Sequence, residues 1–307
     1  MIDKNIWTSN AVVNAVIQDS SNLEIVLNNY FKAFIERLND HNIALDEIGT
    51  TDILNQRILE GINNLEEMRK EFLNIVEIFA NSNNNLLENH LPVFIENLLN
   101  NYEEKGINLY TDTNVEALRN DHYRFFNQFL IISLTALLIE NKCFNTLKAI
   151  LHSKYKVYYK SYRIVREVNF IRLRGYNYTL NEYLNTGSPK RISVTADFML
   201  KFSSTNFASL VRADILLYYI SLWQHTDNFI DRYWFPELSV YNRDKEILPY
   251  MVSQSYFDNA KVLFNVNTIE EYRNLLSSAE DILERNGIYR VPLLKDGLLY
   301  NTVGNIG

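Results

Sequence analysis

A second cysteine is missing from this chain: Cys143 stands alone among 307 residues. That excludes an internal disulfide framework, a cysteine-built zinc site and an intramolecular redox pair. Glycine and proline are also scarce, at 9 and 5. Sheet-rich chains of this length need many tight turns, and tight turns draw on those two residues. A helix-dominated fold is therefore expected. Phosphate-cradling strings are absent, since neither G-x-x-x-x-G-K-[ST] nor G-x-G-x-x-G occurs. The histidines (His41, His90, His122, His152, His225) form no H-E-x-x-H and no i,i+4 pair, so helical zinc ligation is not signalled. No G-x-S-x-G marks a nucleophile elbow. No catalytic residue, metal ligand or cofactor is assigned. The most apolar run, Phe129 to Ile139, falls short of the roughly 20 residues that span a bilayer. The Met-Ile-Asp-Lys start lacks a basic-then-apolar leader pattern. The chain reads as cytoplasmic, with no membrane partner.

What is present is apolar periodicity. Leu23, Leu27, Tyr30, Phe31, Phe34 and Leu38 make one helical stripe between Asn22 and Asn39. Thr51 or Asp52 is expected to cap a helix carrying Ile53, Leu54, Ile58 and Leu59. A further helix carries Leu65, Met68, Phe72, Ile75, Val76 and Phe79 and stops in the polar run from Asn81 to Asn85. Pro92 fits the first turn of a helix reaching about Glu104, and Gly106 breaks the chain. Helices are also expected from Asn114 to Asn141, Phe144 to Leu151, Ser193 to Phe202, Phe207 to Trp223, Ser253 to Phe264 and Thr268 to Arg285. The last has a Thr268/Glu271 capping box and a Gly287 stop. The expected fold class is all-α: a multi-helix bundle of antiparallel helical hairpins, in one or two lobes, with little or no sheet. The expected division is an N-terminal helical lobe (1–152), a basic tyrosine-rich connecting segment (153–192) and a C-terminal helical lobe (193–307).

Charge is segregated along the chain. Between Lys142 and Arg191 stand eleven Lys or Arg against Glu167 and Glu182, a window of +9 in a chain of −7. The remainder therefore sums to −16. A basic island in an acidic protein implies an anionic partner or an acidic surface on which it docks. The island also carries Tyr155, Tyr158, Tyr159, Tyr162, Tyr176, Tyr178 and Tyr183, and Tyr155 to Tyr159 suits a short strand. The expected partner-binding or anion-binding residues are Lys154, Lys156, Lys160, Arg163, Arg166, Arg172 and Arg174. Trp234, in an irregular aromatic segment, joins them as a candidate hot spot. Lys and Arg neutralise phosphates and tyrosine rings stack on bases, so nucleic-acid binding is the alternative reading. Packed tyrosines under solvated cations would use the same residues without any ligand.

One constellation has a catalytic reading. Arg119, Asp121, His122 and Arg124 sit together near the start of a long apolar helix. An Arg that orients phosphate and a His that moves protons would make a ribonuclease of the HEPN type. That family separates Arg from His by four to six residues, whereas two intervene here. The plainer reading is a polar face at the entrance of a buried helix. Asp214, in another apolar helix, needs a partner if buried, and a basic-island Arg is the expected one.

Three stretches carry a family likeness. They are Phe125–Leu130 running into Cys143–Leu147, the helix from Ser193 to Phe202 followed by Ala213–Leu217, and Trp234-Phe235-Pro236 with Tyr241. Together they resemble the helical region that accompanies Toll/interleukin-receptor-type or sirtuin-like NAD-cleaving domains in some bacterial defence proteins. The likeness spans about Asn114 to Phe264. It implies a non-enzymatic sensor or assembly protein of antiphage defence that works by protein association or self-association. The NAD-site residues of that family have no counterparts in this sequence.

Overall fold

The computed structural model describes residues 9–18, 21–44, 50–82, 85–104, 118–160, 162–187, 189, 191–203, 207–224, 233–240 and 248–285. Among them the protein is all-α apart from one two-stranded sheet. Contacts divide the chain into two compact units, Met1–Leu134 with Ser153–Val194, and Thr135–His152 with Thr195–Gly307. The expected features at Gly106, Asn114, His225, Tyr241 and Gly287 lie outside the described residues.

The first unit holds α1 (Ser9–Ile17), α2 (Leu23–Asn39), α3 (Thr51–Asn81), α4 (Leu86–Glu104) and the first part of α5 (Asp121–Glu140). Its core is aromatic. Phe72 stacks on Phe94 with centroids 4.7 Å apart, and Phe31, Phe34 and Phe126 close around them. Each such pair contributes about 0.5–1.5 kcal/mol beyond area burial. Arg69 crosses from α3 to α5 inside this core. Its Nε and Nη2 donate to Glu66 at 2.8 and 2.7 Å, its Nη1 donates to Ser133 Oγ at 2.8 Å, and its guanidinium lies 3.9 Å from the Phe129 ring centroid. A buried cation is tolerated here because a carboxylate, a hydroxyl and a ring face all receive it.

Two expected helices are one. The stretches expected to be separate around Ile53–Leu59 and Leu65–Phe79 form the continuous α3, capped by Thr50, whose Oγ1 accepts from the Ile53 N–H at 3.4 Å. Gly61 sits inside α3 because helix packing requires it. A Cβ there would lie 3.0 Å from the His122 ring. His122 is buried and its Nε2 is 3.0 Å from the His41 carbonyl, so the ring has no slack. Helix propensity alone would reward Gly61→Ala by about 1 kcal/mol. Overpacking of this kind costs about 1–3 kcal/mol. We expect Gly61→Ala to lower the midpoint of urea unfolding for this unit; a raised midpoint would mean the ring can yield. Pro92 also departs from expectation, lying inside α4 and not in its first turn.

The second unit contains the end of α5, α6 (Phe144–His152), α7 (Val194–Phe202), α8 (Phe207–Gln224), α9 (Gln254–Phe264) and α10 (Ile269–Arg285). α5 ends in a left-handed turn at Lys142, φ 56°, with the Cys143 N–H donating to the Leu138 carbonyl at 2.8 Å. α8 is buried along most of its length, from Leu210 to Leu222. It reads as apolar all round because it is the core helix of the unit. α10 packs on α8, where the Trp223 indole donates to the Leu275 carbonyl at 3.1 Å. α9 is capped by Ser253, whose Oγ accepts from the Tyr256 N–H at 3.4 Å. The expected box at α10 is real but shifted. Thr268 Oγ1 accepts from the Glu271 N–H, while the Glu271 carboxylate accepts from Asn267 N–H at 2.6 Å.

Candidate interaction surface

The basic segment folds as a β-hairpin in the first unit. β1 (Tyr155–Tyr159) pairs antiparallel with β2 (Ile164–Val168) in the register Tyr155↔Val168, Val157↔Arg166 and Tyr159↔Ile164. β1 alternates as expected of a half-buried strand, with Tyr155, Val157 and Tyr159 inward and Lys156 and Tyr158 outward. Its far edge is closed by side chains of α4. The Lys156 N–H donates to Glu96 Oε2 at 2.7 Å, Asn100 Nδ2 donates to the Lys156 carbonyl at 3.0 Å, and the Tyr158 N–H donates to Asn100 Oδ1 at 2.9 Å. The Asn100 amide thus takes the place of a neighbouring strand. Burial and the nearby Glu96 charge push the Tyr155 phenol well above its ordinary range, so it stays neutral.

β2 is different: Ile164 through Glu167 are exposed on both faces. The turn between the strands is held by Tyr162 N–H to the Tyr159 carbonyl at 3.1 Å and by Arg163 in a left-handed conformation, φ 54°. Tyr162 is 70% exposed, Val165 61% and Tyr158 48%. The Arg166 guanidinium lies 5.3 Å from the Tyr159 ring centroid and 5.8 Å from that of Tyr162. These contacts hold the arginine over the sheet with its charge in water.

The expected site residues separate into three groups. Lys154, Lys156, Lys160, Arg163 and Arg166 are exposed. Arg172 and Arg174 are half-buried, and Arg172 lies against the Tyr159 ring at 5.6 Å. Trp234 belongs to the other unit and is fully buried. Its indole Nε1 donates to Asp214 Oδ1 at 2.6 Å, and the Leu238 N–H donates to Asp214 Oδ2 at 2.7 Å. Trp234 is therefore a core residue and presents no surface to a partner. The partners just given for Asp214 are an indole and a main-chain N–H, where a basic-island arginine was expected.

The Arg119 to Arg124 constellation is structural in its geometry. Asp121 and His122 are 0% exposed and Arg124 is 3% exposed. Arg124 Nη1 donates to Asp121 Oδ1, and the Thr179 N–H donates to Asp121 Oδ2 at 2.7 Å. Asn177 Nδ2 donates to the Asp121 carbonyl at 2.7 Å. Arg119 reaches the Ile43 carbonyl at 3.3 Å. These bonds bind the segment after the hairpin to α5, and His122 is closed to a phosphodiester.

The second unit has a concavity of about 200 Å³ that sequence reasoning missed. Glu140, Lys142, Ser209, Arg212, Tyr250 and Tyr256 contribute to its wall. They come from four separated stretches, so no local signal announces them. Among the described residues no histidine lines it. Cys143, close by in sequence, has its thiol pushed up by burial, which makes it a poor nucleophile. No group of three or more His, Cys, Asp or Glu is placed to hold a metal among the described residues. No described helix is long and apolar enough to cross a membrane.

Comparison with protein-family models, curated proteins and solved structures finds no match.

Proposed function

We propose that this chain is a non-enzymatic binding protein whose working surface is the cationic hairpin, and that its partner is an acidic protein surface. One observation carries the reading: β2 stands exposed on both faces, with Tyr162, Val165 and Arg166 held outward. A hairpin serving only to cover the core would bury one face of each strand, as β1 does. Between Lys154 and Arg174 seven cations face Glu167 alone, so the local field favours an anionic partner despite the acidic whole. The resemblance of the three apolar stretches to helical regions of bacterial defence proteins supports a sensor or assembly role beside a separate effector.

The test is charge reversal at Lys160, Arg163 and Arg166, which are exposed and whose replacement leaves the core intact. Arg172 is left alone because it is half-buried. We expect the triple Glu variant to lose co-purification of its partner, or self-association in sedimentation, with an unchanged circular dichroism spectrum. Wild-type association in that variant would sink the reading. A labelled oligonucleotide, titrated at low and high salt, decides the rival. Binding that weakens steeply with salt would transfer the surface to nucleic acid.

A further inference from the structure

We infer that the outer edge of β2 is a strand-addition site for an extended acidic segment of a partner protein. The inference rests on the binding reading above and specifies its mode. The register fixes which main-chain groups are free. In β1 the N–H and C=O of Lys156 and the N–H of Tyr158 turn toward α4. Tyr155, Val157 and Tyr159 therefore direct theirs at β2, against Val168, Arg166 and Ile164. It follows that Val165 and Glu167 point their N–H and C=O away from the sheet. β1's own edge is sealed by Glu96 and Asn100; no described residue does this for β2. An exposed edge is a template for another strand.

The side chains along that edge say what kind of strand fits. On one face a newcomer would run beside Ile164 and Arg166, on the other beside Val165 and Glu167. Lys160 and Arg163 crown the turn. A carboxylate opposite Arg166 gains a charge-assisted contact, and an apolar residue opposite Val165 covers an exposed side chain. A basic or uncharged strand gains less, so the charges select what the bare edge would accept indiscriminately.

A second copy of this chain suits the edge poorly. Antiparallel self-pairing must place outward residues opposite outward residues. Centred on Arg166, it sets Arg166 against its own copy; centred on Glu167, it sets Glu167 against its own copy. Like charges directly opposite are destabilising. Centring on Val165 would require Arg163 to be extended, and its φ of 54° ends the strand there. An acidic segment of a different protein meets none of these obstacles.

The test uses the full chain and a synthetic ten-residue peptide that alternates valine with glutamate. Val165→Pro removes an outward N–H without touching the ladder to β1, a position where an edge strand tolerates proline. Val165→Thr keeps that N–H. We expect the peptide to slow hydrogen exchange at the Val165 and Glu167 amides, Val165→Pro to weaken binding roughly tenfold or more, and Val165→Thr to bind within about twofold of wild type. Slow exchange at the amides of Tyr155, Val157 and Tyr159 in Val165→Pro verifies an intact hairpin. If the charge-reversed variant loses the peptide while Val165→Pro keeps it, strand addition is overturned and the cationic reading survives. If wild-type chain fails to bind the peptide, or binds without protecting Val165 and Glu167, the inference is likewise overturned. Partner association is scored separately through the charge-reversal experiment.

Discussion

Replacing Asp121 by alanine is expected to destabilise the first unit by about 3–5 kcal/mol, against a total of about 5–15 kcal/mol for a typical domain. The cost has three sources. Arg124 would stay buried with its carboxylate partner gone. The Thr179 N–H, itself in a buried π-helical turn, would lose its acceptor. The pin between α5 and the segment after the hairpin would be reduced to Asn177 on the Asp121 carbonyl. Asp121→Asn should cost less, because an amide oxygen can still accept from one of the two donors. The two variants also differ in pH dependence. Burial raises the Asp121 carboxyl above its ordinary 3.8, although Arg124 and Thr179 pull the other way. In the window just above 3.8 the folded state then holds more protons than the unfolded one. Stability from this group falls as pH rises through that window, and Asp121→Asn should flatten that slope. Denaturation followed from pH 3 to 7, with hydrogen exchange in residues 121–134 as the local readout, checks both statements. A ribonuclease reading would require these substitutions to leave stability intact while abolishing cleavage. The burial of His122 and Arg124 predicts the reverse order: stability goes first.

Much of the architecture was legible because helices advertise themselves by period. The stripes at Leu23–Leu38 and Leu65–Phe79, the apolar stretch of α8 and the capping box at α10 are local patterns, and they occur where local patterns place them. The departures are equally physical. The two stripes expected as separate helices join through Gly61, where the His122 ring fills the space of the missing side chain. Pro92 is accepted within α4 against its local preference. Tyr155 to Tyr159 was readable as suiting a short strand, but Ile164 through Glu167 bury neither face, which leaves no apolar alternation to detect.

The candidate surface was half legible. Basic residues are a safe guess for exposure, and five of the seven lie in water. Arg172 and Arg174 do not; for Arg172 the Tyr159 ring lies beside the guanidinium, and a sequence does not reveal which ring is near. The free edge of β2 was invisible at the sequence level. It depends on Asn100 and Glu96 approaching β1 from a helix more than fifty residues earlier, with no described residue doing the same for β2.

Trp234 allows the sharpest separation between a core residue and a contact residue. Trp234→Ala removes a fully buried indole and takes one donor from a buried carboxylate, so a loss of about 3–5 kcal/mol in the second unit is expected. Trp234→Phe keeps most of the ring but deletes the donor to Asp214. Hydrogen bonds to charged groups contribute about 1.5–3 kcal/mol, and that is its expected cost. Asp214→Asn should be milder, because its amide oxygen still accepts from the indole or from the Leu238 N–H. The Trp234 N–H is meanwhile held by Ser221 Oγ at 3.0 Å, which itself donates to the Tyr218 carbonyl at 2.6 Å. That main-chain bond survives in Trp234→Ala, whereas the indole's own bond to Asp214 on α8 does not, so removal of the indole should speed hydrogen exchange in residues 207–224. Two compact units make a single global unfolding energy ill-defined, so the exchange of that helix is the proper measure. Were Trp234 a surface hot spot, the phenylalanine variant would weaken partner binding and leave α8 exchange untouched. The burial and the bond to Asp214 demand the opposite: faster exchange along α8, with affinity at the hairpin of the first unit unchanged.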